Sequence, residues 1–120
     1  MVALITINQA AVSNITEAAE RALQMTAEAL HTEVVQAQVI PRDTGHLQNE
    51  ATYVDYQPGR AALVSNTPYA QRCYYHPEFK FQKTENPNAR GLWLEQWIDG
   101  EKADFVPEAF GAFLRREAGL

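Results

Sequence analysis

From Ile15 to about Val39 the chain contains no proline and no glycine, and no other feature constrains its fold as strongly. Ile15, Ala18, Ala22, Met25 and Ala29 step by three and four, and Leu23, Ala27, Leu30, Val34 and Ala37 do the same beside them. Together the two rows make one wide apolar face of an α-helix. Asn14, with Glu17 three residues on, is a capping box in which each side chain satisfies an exposed backbone N–H. Pro41 ends the helix, because the residue before a proline is pushed out of the helical region. Such a helix is about 38 Å long. That is long for a chain of 120 residues, so part of its surface is expected to be buried by another chain.

Ahead of the helix, Val2 to Ile7 is short, β-branched and apolar. Residues 1–8 read as a strand, or as an arm that pairs with something. After it, Arg42-Asp43-Thr44-Gly45 is a turn: Asp43 can bond the backbone ahead of it and Gly45 can supply a positive φ. Leu47 returns to the core. Ala51–Tyr56 and Ala61–Ser65 are predicted to form an antiparallel hairpin, with Pro58-Gly59 at the central positions of a type II turn. Asn66-Thr67-Pro68-Tyr69-Ala70 breaks the second strand. Phe79-Lys80-Phe81 alternates and is expected to be a third strand, and 83–90 an exposed polar loop. Trp93, Leu94, Trp97 and Ile98 have helical spacing and Asp99-Gly100 stops them. A last helix is predicted from Asp104 to Glu117, with Pro107 tolerated in its first turn and Arg115-Arg116 suited to its negative end. The expected class is α+β: a long N-terminal helix packed on a small antiparallel sheet, with short C-terminal helices.

At this length the chain is one domain, 1–120. Ten basic residues against fifteen acidic ones, a formal charge of −5, speak against a dedicated nucleic-acid binder, whose affinity comes from clustered Lys and Arg. One cysteine, Cys73, rules out an internal disulfide, and a reducing compartment is the default. No apolar run approaches the roughly 20 residues of a membrane helix, and the start lacks the basic and apolar regions of a secretion signal. A soluble protein, cytoplasmic when made, is the expectation.

Candidate chemistry is sparse. Cys73 and His76 could form a nucleophile–base pair or hold a metal, but a structural zinc site needs four ligands and no second Cys or His pair accompanies them. His31, in the long helix, and His46, after the turn, read as surface or capping positions. Glu17, Glu20, Glu28 and Glu33 read as a solvated helix face. There is no phosphate-binding glycine loop and no GxSxG elbow. Trp93 and Trp97 suit a core, or an interface anchor. No catalytic residue, metal or cofactor is expected.

The helix running into Pro41-Arg42-Asp43-Thr44-Gly45-His46-Leu47, then the hairpin, then Ser65-Asn66-Thr67-Pro68-Tyr69-Ala70, then an aromatic stretch, resembles the minor capsid and head–tail joining (neck) proteins of tailed bacteriophages. In that family a helix ends in Pro-x-Asp-Thr-Gly-x-Leu, and a later strand leads into a Tyr-Ala element. The resemblance spans roughly residues 15 to 98. It implies a structural virion protein: a ring subunit at the head–tail junction, assembled in the host cytoplasm. Its partners would be other copies of itself and neighbouring portal, adaptor, stopper, tail-tube or tail-terminator proteins, with DNA only passing through the lumen. Pro41, Asp43, Thr44, Gly45 and Leu47 would be the structural turn, and Asn66, Thr67, Pro68, Tyr69 and Ala70 the strand-end element. Val2, Leu4, Ile5, Ile7, Trp93 and Trp97 are candidate interface residues. Two other readings stand beside it. One is a small hydrolase using Asp43 or the Cys73/His76 pair; Asp-Thr-Gly also carries the aspartic-protease carboxylate, but those enzymes need two copies. The other is a dimeric binding module joined through Trp93 and Trp97.

Overall fold

The structure, a computed structural model, describes residues 2–6, 17–41, 52–65, 67–81, 83 and 86–119. Strand β1 (Val2–Thr6) is followed by helix α1 (Glu17–Gln36), the hairpin β2 (Thr52–Gln57) and β3 (Arg60–Ser65), and three helices: α2 (Pro68–Tyr74), α3 (Glu95–Asp99) and α4 (Phe105–Ala118). The expected α+β arrangement is present: the long helix packs on a three-stranded antiparallel sheet, with short helices after it.

The sheet order is β1-β3-β2. Val2 pairs with Val64 and Thr6 with Arg60, while Thr52 pairs with Ser65 and Gln57 with Arg60. The two-residue Pro58-Gly59 turn works because Gly59 has φ 77°, the left-handed conformation that the second central position of a type II turn requires. Side chains alternate between faces. Thr52, Val54 and Tyr56 share a face with their β3 partners Ser65, Leu63 and Ala61, and on that face Leu23, Ala27 and Ala61 form a buried cluster joined by Ile5 and by Phe110 of α4. Ala18, Ala19, Ala22 and Ala27 are buried on α1, and these small side chains let the helix lie close to its neighbours. Thr26, polar and fully buried, satisfies its hydroxyl on the Ala22 carbonyl at 2.7 Å.

Helix α1 stops at Gln36, before the expected Val39. Gln38 takes φ 57°, which ends the helix and turns Val39 and Ile40 into the core, where both are buried. Their burial offsets a backbone conformation that costs a non-glycine residue about 1 kcal/mol. The main core gathers Leu30, Val34, Ile40, Leu63, Tyr74, Trp93 and Trp97 around this point.

Two expectations are corrected. Phe79-Lys80-Phe81 is not a strand; the Phe79 N–H closes a turn onto the His76 carbonyl at 3.1 Å, and the third strand of the sheet is β1. Within 83–90 the loop is not free of the body. Asn86 and Ala89 are buried, Asn86 Nδ2 donates to the Ile40 carbonyl at 2.8 Å, Asn88 Nδ2 donates to the Ala37 carbonyl at 2.9 Å, and the Arg90 N–H bonds the Val39 carbonyl at 3.0 Å. The carbonyls of the segment that leaves α1 no longer bond within a helix and need other donors, which the two asparagine amides and the Arg90 N–H supply. The expected break in the second strand is present, β3 ending at Ser65, and the Thr67-Pro68-Tyr69-Ala70 element also opens a helix. Thr67 is its N-cap, its Oγ1 accepting from the Ala70 N–H at 3.1 Å, and Pro68 occupies the first turn, where its missing N–H is not needed.

Candidate functional site

Of the turn element, Pro41 is described and is buried; Asp43, Thr44, Gly45 and Leu47 lie outside the described residues, as does Asn66. Among Thr67 to Ala70, Ala70 is fully buried while Tyr69 is exposed. The strand-end element therefore has one side in the core and one on the surface.

Val2 to Thr6 pairs with β3 of its own chain rather than standing off as an arm. Ile5 packs against both apolar clusters, whereas Leu4 is 51% exposed; Ile7 lies outside the described residues. Trp93 is 0% and Trp97 5% exposed. Both belong to the core, the first of the two readings given for them, and neither stands as a surface anchor. Their Nε1 hydrogens are buried with no acceptor among the described residues. Lys102 lies 4.7 Å from the centre of the Trp97 ring, a cation–π contact.

Cys73 and His76 are placed apart in character. The Cys73 thiol is buried at 4% exposure. His76 is exposed, its Nδ1 lies 2.8 Å from Glu78 Oε1, and its ring stacks on Phe79 at 4.7 Å and 6°. The hydrogen bond from His76 holds the Glu78 carboxyl below its ordinary range. Burial pushes the Tyr74 phenol up, and its neighbours Tyr75 and Glu95 add to the shift. No group of three or more His, Cys, Asp or Glu able to hold a metal occurs among the described residues.

Glu20 departs from the solvated face expected of it. Its Oε2 accepts from the Tyr56 hydroxyl, and from the Gly59 N–H at 3.1 Å. One carboxylate thus ties α1 to both the strand and the turn of the hairpin. The bond to Glu20 is the main reason the Tyr56 phenol is pushed up to about 12, with desolvation and the Glu20 charge adding to it. Sequence spacing carries no signal for this contact, since the partners are 36 residues apart.

The described residues also form several surface clefts. A groove of about 340 Å³ runs between β1 and the α3–α4 corner, lined by Leu4, Ile5, Leu30, Leu94, Trp97, Ile98, Ala103, Val106 and Pro107. A second cleft is lined by Pro77, Phe79, Lys80, Phe81, Lys83, Ala89 and Arg90. Gly91 packs behind Pro77; a Cβ there would fall 2.7 Å from the Pro77 Cα, so only glycine permits this approach. Among the described residues no helix is long and apolar enough to cross a membrane. Compared with known protein families, curated proteins and solved structures, the chain matches none.

Proposed function

We propose that this chain is a non-enzymatic virion component, a minor capsid or neck subunit that forms a ring at the head–tail connection of a tailed phage, with DNA passing through the lumen. The observation that carries the reading is the order of elements and motifs along the chain: a long helix, the Pro41-to-Leu47 sequence motif, the hairpin, then Thr67-Pro68-Tyr69-Ala70. A ring subunit must present two different surfaces, because heterologous contacts close rings and self-matching ones close pairs. The groove beside β1 and the cleft around Phe79 share no residue, which supports that requirement. The net charge of −5 fits a lumen that repels phosphate and lets DNA slide.

The test is electron microscopy of purified virions carrying a tag on this chain. Signal at the single head–tail vertex is the expected outcome; absence of the chain from virions would discard the reading.

A further inference from the structure

We propose that a second copy of this chain docks head to tail on the groove beside β1, seating Phe79 against Leu4 and Ile98, with Lys80 and Lys83 facing the carboxylates of the α3–α4 corner. The inference deepens the ring reading and rests on it.

The receiving side is apolar and acidic. Leu4 is 51% and Ile98 61% exposed, and both line the groove. Large apolar side chains left open together mark an interaction site. β1 ends the sheet, with no strand on its outer side among the described residues, so the groove borders an open edge. The segment from 95 to 108 carries Glu95, Asp99, Glu101, Asp104 and Glu108, all exposed. Its one cation, Lys102, is engaged over Trp97.

The inserting side is the complement. Phe79 is 41% exposed, and its ring is held by the stacked His76, which Glu78 holds in turn. A side chain fixed before contact loses little freedom on binding. Among the described residues around Phe79, Lys80, Lys83 and Arg90 outnumber one carboxylate, Glu78, and all four are exposed. Groove against groove in a two-fold pair would set carboxylates against carboxylates, which is costly. Phe79 against groove brings opposite charges together and leaves each copy one free surface of each kind, as a ring or open chain requires.

The experiment mixes two full-length variants that keep Phe79, Leu4 and Ile98, namely Pro107→Cys on the groove and Lys83→Cys in the cleft of the Phe79 ring, under mild oxidation; the native Cys73 is buried. Cross-links between the two variants should far exceed those within either. Predominant Pro107→Cys self-links, or links no more frequent than for a Gln24→Cys control, would overturn the proposal. A charge exchange gives an independent readout by sedimentation. Lys80→Glu with Lys83→Glu, and Asp99→Lys with Asp104→Lys, should each weaken self-association about tenfold, and an equimolar mixture should restore it. Unchanged association, or loss without restoration, counts against it. Variants that lose this contact yet still reach the head–tail vertex sink the docking geometry and spare the ring role. Restoration in a chain absent from virions does the reverse.

Discussion

Gln38 shows how a single backbone angle sets the path of the chain. Its φ of 57° places a side chain where glycine is the usual choice at a helix end. Gln38→Gly should stabilise the protein by about 1 kcal/mol, through relief of that strain. A rise in the urea midpoint would show it, and a fall would mean that the glutamine side chain contributes more than its backbone costs. Tyr56 is the second decisive residue. Its phenol is raised from 10 to about 12 by Glu20. The bond is therefore fully present below pH 10, the unfolded value, and is lost as pH rises through about 12. Tyr56→Phe should remove one of the late-titrating transitions among the five tyrosines in an ultraviolet titration. It should also lower stability at neutral pH while leaving stability near pH 12 little changed.

The elements differ in how locally they are specified. Helix α2 depends on its cap: the Thr67 hydroxyl holds the Ala70 N–H, and Pro68 follows at once. Thr67→Ala should cost about 1 kcal/mol and Thr67→Ser much less, measured by thermal unfolding. The threonine-proline pair was a readable signal for this helix. The same pair also marks the end of β3 at Ser65, because a cap and a strand breaker use the same residues. Helix α1 and the hairpin were legible because their apolar periods are 3.6 and 2. Strand β1 was legible as an extended segment, but its partner was not, since β3 lies some sixty positions away and any open edge would satisfy the same backbone groups. Phe79-Lys80-Phe81 shows the converse: an alternating pattern that joins neither outer strand of the sheet is turn and coil.

Across the whole molecule, distant parts of the chain share one structure. Phe110 of α4 packs on the cluster of Leu23, Ala27 and Ala61, and Arg21 of α1 pairs with Glu117 of α4 at 3.1 Å. The exposed ion pair adds little; the apolar contact carries the docking. Phe110→Ala should therefore cost about 2 kcal/mol, less than for a fully buried phenylalanine. Arg21→Ala should change the unfolding midpoint only slightly, and a larger loss for Arg21→Ala than for Phe110→Ala would reverse this ranking. The molecule measures 47 × 23 × 23 Å, an elongated body whose groove and aromatic cleft are separate sets of residues.

By itself the sequence determined the α+β class, the long helix, the hairpin with its Pro58-Gly59 turn, and the terminal helix. These rest on contacts and dihedral preferences within a few residues, and such preferences are written in local spacing. Tertiary structure alone decided that Trp93 and Trp97 are core, that Asn86 and Asn88 serve the end of α1, that Glu20 holds Tyr56, and that Leu4 and Ile98 border one groove. Each of these depends on which distant segments meet. Burial and hydrogen-bond partners are properties of that meeting rather than of any residue type.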